Sequence, residues 1–304
     1  MKNVCFPDNA VILSPCIDAV FKLVFTRETP SSRGALAGLA SAFIGRKTQV
    51  LAVTANEPPV NSLRDRQIRF DIACKLEGGE QANLEMTLHP KSYEAARLEY
   101  YLARLYANQD IKGADKTFDG LRRAYQISFF AKENLYADGE LIHRFRYYDK
   151  RHGLYLGGRT EIITIELRKA AGLEEKPVRE MSPGELWAFF FRYGPDAVRR
   201  ERINEIMGIE EGIAMAGEEL LTVSEDEQLQ AWLRSAEKYM QEKYELDRHS
   251  EMVYARREGR AQGLAEGRTE GLAEGRAEGY KEAKAEDQEQ IRRLEEEIRR
   301  LRGE

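Results

Sequence analysis

Residues 67–88 read Gln-Ile-Arg-Phe-Asp-Ile-Ala-Cys-Lys-Leu-Glu-Gly-Gly-Glu-Gln-Ala-Asn-Leu-Glu-Met-Thr-Leu, and their alternation decides the fold. Ile68, Phe70, Ile72, Cys74 and Leu76 alternate with polar neighbours, and Ala82, Leu84, Met86 and Leu88 do the same, so each run is a strand with one apolar face. Both apolar faces must meet one core. Opposed residues of an antiparallel pair point to the same side, so even numbers must face even numbers, which a two-residue turn forbids. The three-residue loop Glu77-Gly78-Gly79 satisfies that parity and offers a glycine for a left-handed turn position.

In this register Leu76 faces Glu80, Asp71 faces Glu85 and Arg69 faces Thr87. Opposed Cβ atoms lie roughly 4.5–5.5 Å apart, where two carboxylates repel unless the face is hydrated or a cation stands between them. An ordinary solvated sheet face is one outcome. The other is a site for Mg²⁺ or Mn²⁺, because hard cations bind through one or two carboxylates and retain water.

Outward from the hairpin, strands are predicted at 49–54, 124–131, 141–148 and 161–167, and helices at 17–27, 34–44 and 92–108. This mixture gives an α/β domain over residues 1–170. Beyond it strands vanish, and residues 171–250 form a helical region opened by the capping box Ser182-Pro183-Gly184-Glu185. Gly194-Pro195 ends the first of these helices and Gly208 a second, while Ser224 and Glu227 repeat the capping signature before a long polar helix.

Residues 251–287 are a low-complexity array with Gly259, Gly263, Gly267, Gly271, Gly275 and Gly279 at every fourth position. As a helix it loses about 1 kcal/mol per glycine relative to alanine, so in isolation it should be weakly ordered. Residues 288–304 place Ile291, Leu294, Ile298 and Leu301 at coiled-coil spacing, the expected route to a homo-oligomer.

Composition narrows the function. The chain has 304 residues and a net charge of −5, with 33% charged residues, three cysteines and four histidines. No run is long and apolar enough for a membrane helix, and residues 1–15 lack a secretory signal, so a cytoplasmic protein without membrane association is expected. The cysteines are not spaced as disulfide or zinc partners. Residues 91–152 hold twelve Lys and Arg against nine Asp and Glu, a local basic surplus in an acidic chain.

Several motifs occur together in order: Asp18-Ala19-Val20-Phe21-Lys22 with Phe25, Phe70-Asp71-Ile72, Asn83-Leu84-Glu85-Met86, and Arg97, Tyr100, Tyr101 with Leu105-Tyr106. Ile127-Ser128-Phe129-Phe130, Phe145-Arg146 and Glu166-Leu167 follow. In these residues, over about 14–168, the chain resembles the recombination-promoting nuclease and transposase family, a branch of the PD-(D/E)XK nuclease superfamily. The resemblance implies a restriction-endonuclease-like core: a mixed central sheet flanked by helices, here with an α-helical C-terminal extension. It further implies that Asp71 and Glu85 hold Mg²⁺ for hydrolysis of DNA phosphodiesters, with Asp18 joining them from the first helix.

The family pattern has Lys or Gln two residues after Glu85, to contact the attacking water or the phosphate. This chain has Thr87, which can hydrogen-bond a water but places neither a charge nor an amide there. Lys75 and Lys91 are candidate substitutes. DNA contacts are expected from Lys91, Arg97 and Arg104 around the helix at 92–108 and from Arg144 and Arg146 near a strand end, where cations can neutralise phosphates. The alternative function is a catalytically inactive nuclease fold retained as a DNA-binding or oligomeric interaction module, a reading that Thr87 favours.

Overall fold

A computed structural model describes residues 4–54, 70–109 and 117–302, with the side chains of the last helix described in part. A six-stranded sheet is built from β1 (Val50–Val53), β2 (Ile72–Leu76), β3 (Gln81–Thr87), β4 (Ala124–Phe130), β5 (Ile142–Phe145) and β8 (Thr160–Glu166), in the order β1-β2-β3-β4-β8-β5. A separate two-stranded ribbon pairs β6 (Tyr148–Asp149) with β7 (Leu154–Tyr155). The predicted strand at 141–148 is therefore divided between β5 and β6. The part of the first hairpin strand at 67–69, with the Arg69–Thr87 pairing, lies outside the described residues.

β3, β4 and β8 run parallel at the centre, while β1, β2 and β5 pair antiparallel at the two sides. A parallel pair needs a crossover, and α3 (Glu94–Ala107) provides it between β3 and β4. Helices cover both faces, as a buried parallel centre requires, and every residue of β4 is buried. The mixed sheet, flanking helices and C-terminal helical extension agree with the restriction-endonuclease-like architecture expected from the sequence.

On one face α1 (Asp18–Thr26) and α2 (Pro30–Ile44) join α4 (Pro183–Tyr193), α5 (Arg200–Ile209) and α6 (Glu211–Glu225) over a single core. Rings interlock there: Phe129 and Phe191 lie 5.0 Å apart, Phe25 and Trp187 5.9 Å. Burying one such side chain contributes about 1.5–3 kcal/mol. A Cβ on Gly38 would stand 2.8 Å from the Gly212 Cα, so α2 and α6 meet backbone to backbone and neither position has room for a side chain. Residues 1–233 are one compact unit, and the change from strands to helices near residue 171 falls inside it.

The Ser182 capping box forms as read, with Ser182 and Glu185 each accepting the other's backbone amide. Two helix boundaries differ from the sequence reading. α5 passes through Gly208 to Ile209. Ser224 caps nothing: it is buried in the last turn of α6, donating to the Leu220 carbonyl and accepting the Leu13 amide. Its hydroxyl is committed to packing the N-terminal segment, which local spacing could not reveal.

The second unit, residues 234–304, is carried on α7 (Glu227–Arg302). Its glycine array is continuous helix, and at each of the six glycines an added Cβ would meet nothing within 4 Å. Ile291 and Leu294 are exposed, while the side chains of Ile298 and Leu301 lie outside those described. No helix among the described residues is long and apolar enough to cross a membrane.

Candidate nuclease site on the polar face of the sheet

The β2–β3 hairpin adopts the expected parity. Ile72 pairs with Leu84 and Cys74 with Ala82, the loop is Glu77–Gly79, and Gly78 and Gly79 take the left-handed φ values of 75° and 80°. Continuing the ladder by one step places Asp71 opposite Glu85. The register through β3, β4, β8 and β5 puts Glu85, Ser128, Thr164 and His143 on one side of the sheet.

That side is polar but not solvated. Glu85 is only 2% exposed, and Asn83, Gln126 and Ser128 are buried beside it. Asn83 Nδ2 donates to Glu85 Oε1 at 3.1 Å and to Gln126 Oε1 at 2.8 Å, and Gln126 passes the chain on to Ser128 Oγ at 2.9 Å. Glu85 Oε2 is buried without a hydrogen-bond partner. Arg97 Nη2 stands 3.3 Å from it, close enough for charge attraction but not aligned to donate. Burial, reinforced by the Asp71 charge, outweighs the pull of Arg97 and Asn83 and pushes the Glu85 carboxyl up to about 8.

Asp71 sits just before β2. Its Oδ2 accepts the Met86 amide at 3.1 Å and its Oδ1 lies 3.1 Å from Lys22 Nζ. Burial and the nearby Asp18 charge raise its carboxyl above the ordinary range against the opposing pull of Lys22. Asp18 and Lys22 are one turn apart on α1, whose opposite stripe, Val20, Phe21, Val24 and Phe25, is buried in the core. This docking carries Lys22 between two carboxylates, 2.8 Å from Asp18 and 3.1 Å from Asp71. Burial would lower the Lys22 amine, but the Asp18 hydrogen bond and the Asp71 charge hold it above its usual value.

The cations demanded by two opposed carboxylates are therefore protein side chains, Lys22 on the Asp71 side and Arg97 on the Glu85 side. Arg97, expected to contact DNA, turns inward: it donates to Glu94 Oε1 at 2.6 Å and to Thr87 Oγ1 at 3.0 Å, and its guanidinium lies 5.3 Å from the Tyr101 ring centre. Lys75 is exposed near the hairpin loop. Lys91 precedes α3 and its backbone amide approaches Glu94, and Arg104 lies on the last turn of α3. Arg144 stands across from Ile163 on the opposite face of the sheet from Glu85, bonded to Glu161 and the Phe43 carbonyl, and Arg146 also bonds Glu161.

Asp71, Glu85 and Asp18 offer oxygen ligands only, the donor set of a hard divalent cation. The unpartnered Glu85 Oε2 and the ammonium already lodged between Asp18 and Asp71 both fit a place where positive charge is wanted.

A second cluster was not read from the sequence. Asp138, His143 and Glu166 bring one ligand atom each within 4.8 Å of one another, a candidate metal-ligand set. Its centre is shared with Lys169, whose Nζ contacts Glu166 Oε2 and lies 2.8 Å from Asp138 Oδ1 and 2.9 Å from the Glu140 carbonyl. The Lys169 hydrogen bond holds the Asp138 carboxyl down to about 2. Glu166 Oε1 accepts the Leu135 and Tyr136 amides, so the cluster also pins the loop after β4. Glu166 and Lys169, three residues apart at the end of β8, were the local signal for it.

Neither the curated proteins nor the solved structures provide a match to this chain. A family model described as PD-(D/E)XK nuclease family transposase matches residues 15–255, reaching through α4–α6 and beyond the segment that carried the sequence resemblance. With that match covering most of its length, and the mixed sheet carrying an opposed acidic pair, the chain belongs to the PD-(D/E)XK nuclease family transposases.

Proposed function

We propose that the protein is a metal-dependent DNA endonuclease of recombination or mobile-element biology, with Asp71 and Glu85 as ligands for Mg²⁺ or Mn²⁺ and Asp18 as a third acid beside them. The observation that carries this reading is the buried Glu85 carboxylate opposite Asp71, its Oε2 without a hydrogen-bond partner in a layer where Asn83 Oδ1 and Thr164 Oγ1 are unpartnered as well. A buried, incompletely paired carboxylate is costly and is retained where it has work to do.

A divalent ion held there would supply Lewis-acid polarisation of the phosphate and a more acidic attacking water. The protein's own part is positional. The Met86 amide and Lys22 fix the two oxygens of Asp71, and Asn83, held in turn by Gln126, fixes one oxygen of Glu85. Arg97 orients the Thr87 hydroxyl at the neighbouring position of β3. DNA approaching this face meets Lys91 and Arg104 beside α3. Arg144 and Arg146, on and just after the edge strand β5, would contact only DNA that reaches around the sheet edge.

The non-catalytic reading, a DNA-binding or self-associating module, is favoured by one feature: Thr87 is short and its hydroxyl is engaged by Arg97. Nicking of supercoiled plasmid with Mg²⁺ or Mn²⁺ separates the two. The nuclease reading expects cleavage that falls to background in Asp71→Asn, a loss of at least about 10³-fold. Equal nicking by both proteins, or none by either, contradicts it.

A further inference from the structure

We propose that Lys22, from α1, is a catalytic residue that supplies the cationic donor missing at position 87. The proposal rests on the nuclease reading above and concerns which side chain of this chain meets the scissile phosphate.

Position 87 cannot serve. Thr87 carries no charge, and its Oγ1 already accepts from Arg97 Nη2 at 3.0 Å. Arg97 is itself held by Glu94 at 2.6 Å and lies 3.3 Å from Glu85, so its guanidinium is committed to the carboxylates beneath the site. Lys75 stands out at the hairpin end, where Gln81 is its cross-strand neighbour. Lys22 has the required placement. Its ammonium is 3.1 Å from one oxygen of Asp71 while the other is fixed by the Met86 amide, so its position relative to the acidic pair is set from two sides.

The side chain also remains 28% exposed, on the stripe of α1 opposite the one buried in the core, so a phosphate can reach it. Three carboxylate oxygens surround the ammonium, both of Asp18 at 2.8 and 3.0 Å and one of Asp71 at 3.1 Å, and a phosphate oxygen would take over one of the two places that the exposed Asp18 carboxylate occupies. In hydrolysis the water oxygen bonds to phosphorus and the bond from phosphorus to the leaving sugar oxygen breaks. One water proton passes to solvent, and the leaving oxygen takes a proton from solvent. Lys22 keeps its protons throughout, donating a hydrogen bond to the phosphate oxygen on which charge accumulates. Losing one such donor typically costs about 10²–10³-fold in rate.

The test uses the full chain as wild type, Lys22→Met, Lys22→Arg and the double variant Lys22→Met with Thr87→Gln. Plasmid cleavage in Mn²⁺ is paired with calorimetric titration of Mn²⁺ alone. Lys22→Met is expected to lose about 10²-fold or more in cleavage with Mn²⁺ affinity unchanged or tighter, because two carboxylates lose a competing cation. Lys22→Arg should cleave faster than Lys22→Met, and Thr87→Gln should restore part of the loss by putting a donor back on β3. Cleavage by Lys22→Met within about threefold of wild type overturns the proposal, as does a loss of Mn²⁺ binding that matches the loss of cleavage. Wild-type protein that binds Mn²⁺ but cuts nothing overturns the Lys22 role and leaves the ion site standing, whereas protein that binds no Mn²⁺ removes the nuclease reading itself.

Discussion

Two acidic clusters occupy the same face of the sheet, and they are neutralised in different ways. At the end of β8, Lys169, with only 7% of its side chain exposed, contacts Glu166 and Asp138, His143 lies 2.9 Å from Asp138, and two backbone amides donate to Glu166 Oε1. At the β2–β3 end, Asp71 and Glu85 share two cations that are each divided with other acids, and Glu85 Oε2 keeps no aligned donor. In the first, one buried lysine ion-pairs with both acids, although Glu166 Oε2, like Glu85 Oε2, accepts no hydrogen bond. In the second, each cation is divided among several acids and the arginine beside Glu85 Oε2 is not aligned to donate, a difference that on the proposed nuclease reading marks a site rather than a structural clamp.

The sharpest way to break this comparison is to remove the lysine from each cluster. Lys169→Met strands the fully buried Glu166, and breaking a buried pair from one side costs about 3–5 kcal/mol, so thermal or urea denaturation should show severe destabilisation. Lys22→Met touches partly exposed partners and should cost about 1 kcal/mol or less. Similar losses from both would mean that the two clusters are equivalent clamps.

A smaller effect follows from the Glu85 carboxyl, raised from 4.5 to about 8. Between those values the native state holds a proton that the unfolded chain has released, so unfolding releases a proton and stability falls as pH rises through this window. Urea denaturation of the metal-free protein at pH 5, 6, 7 and 8 should show that decline, and Glu85→Gln should flatten it. An unchanged slope in the variant would assign the pH dependence to other groups.

How much of this was legible depends on the range of the interactions. The Asp71–Glu85 register follows from alternation and the parity of a three-residue loop, both local properties, and the ladder reproduces it. The cations could not be found that way. Lys22 reaches Asp71 because α1 docks against β2 and β3, a tertiary event, and only its spacing from Asp18 hinted at a functional stripe. Helical periodicity does not say which polar stripe faces a buried acid, so Arg97 reads as a DNA contact in the sequence although it lies beside Glu85.

The helices after residue 171 gave a clearer sign than their polar flanks suggested. Leu186, Trp187, Phe189, Phe190 and Phe191 surround α4 on all sides, and a helix apolar all round is buried, as α4 is in the common core. The glycine array shows the opposite limit. Propensity marks it as a poor isolated helix, while the chain carries it as part of α7.

Calorimetric titration of Mn²⁺ into the wild type, Glu85→Gln and Asp138→Asn tests the central distinction most directly. An open demand at Asp71 and Glu85 predicts one bound ion in the wild type, retained in Asp138→Asn and lost in Glu85→Gln. Binding that survives Glu85→Gln and disappears in Asp138→Asn would place the ion in the Lys169 cluster and contradict the account.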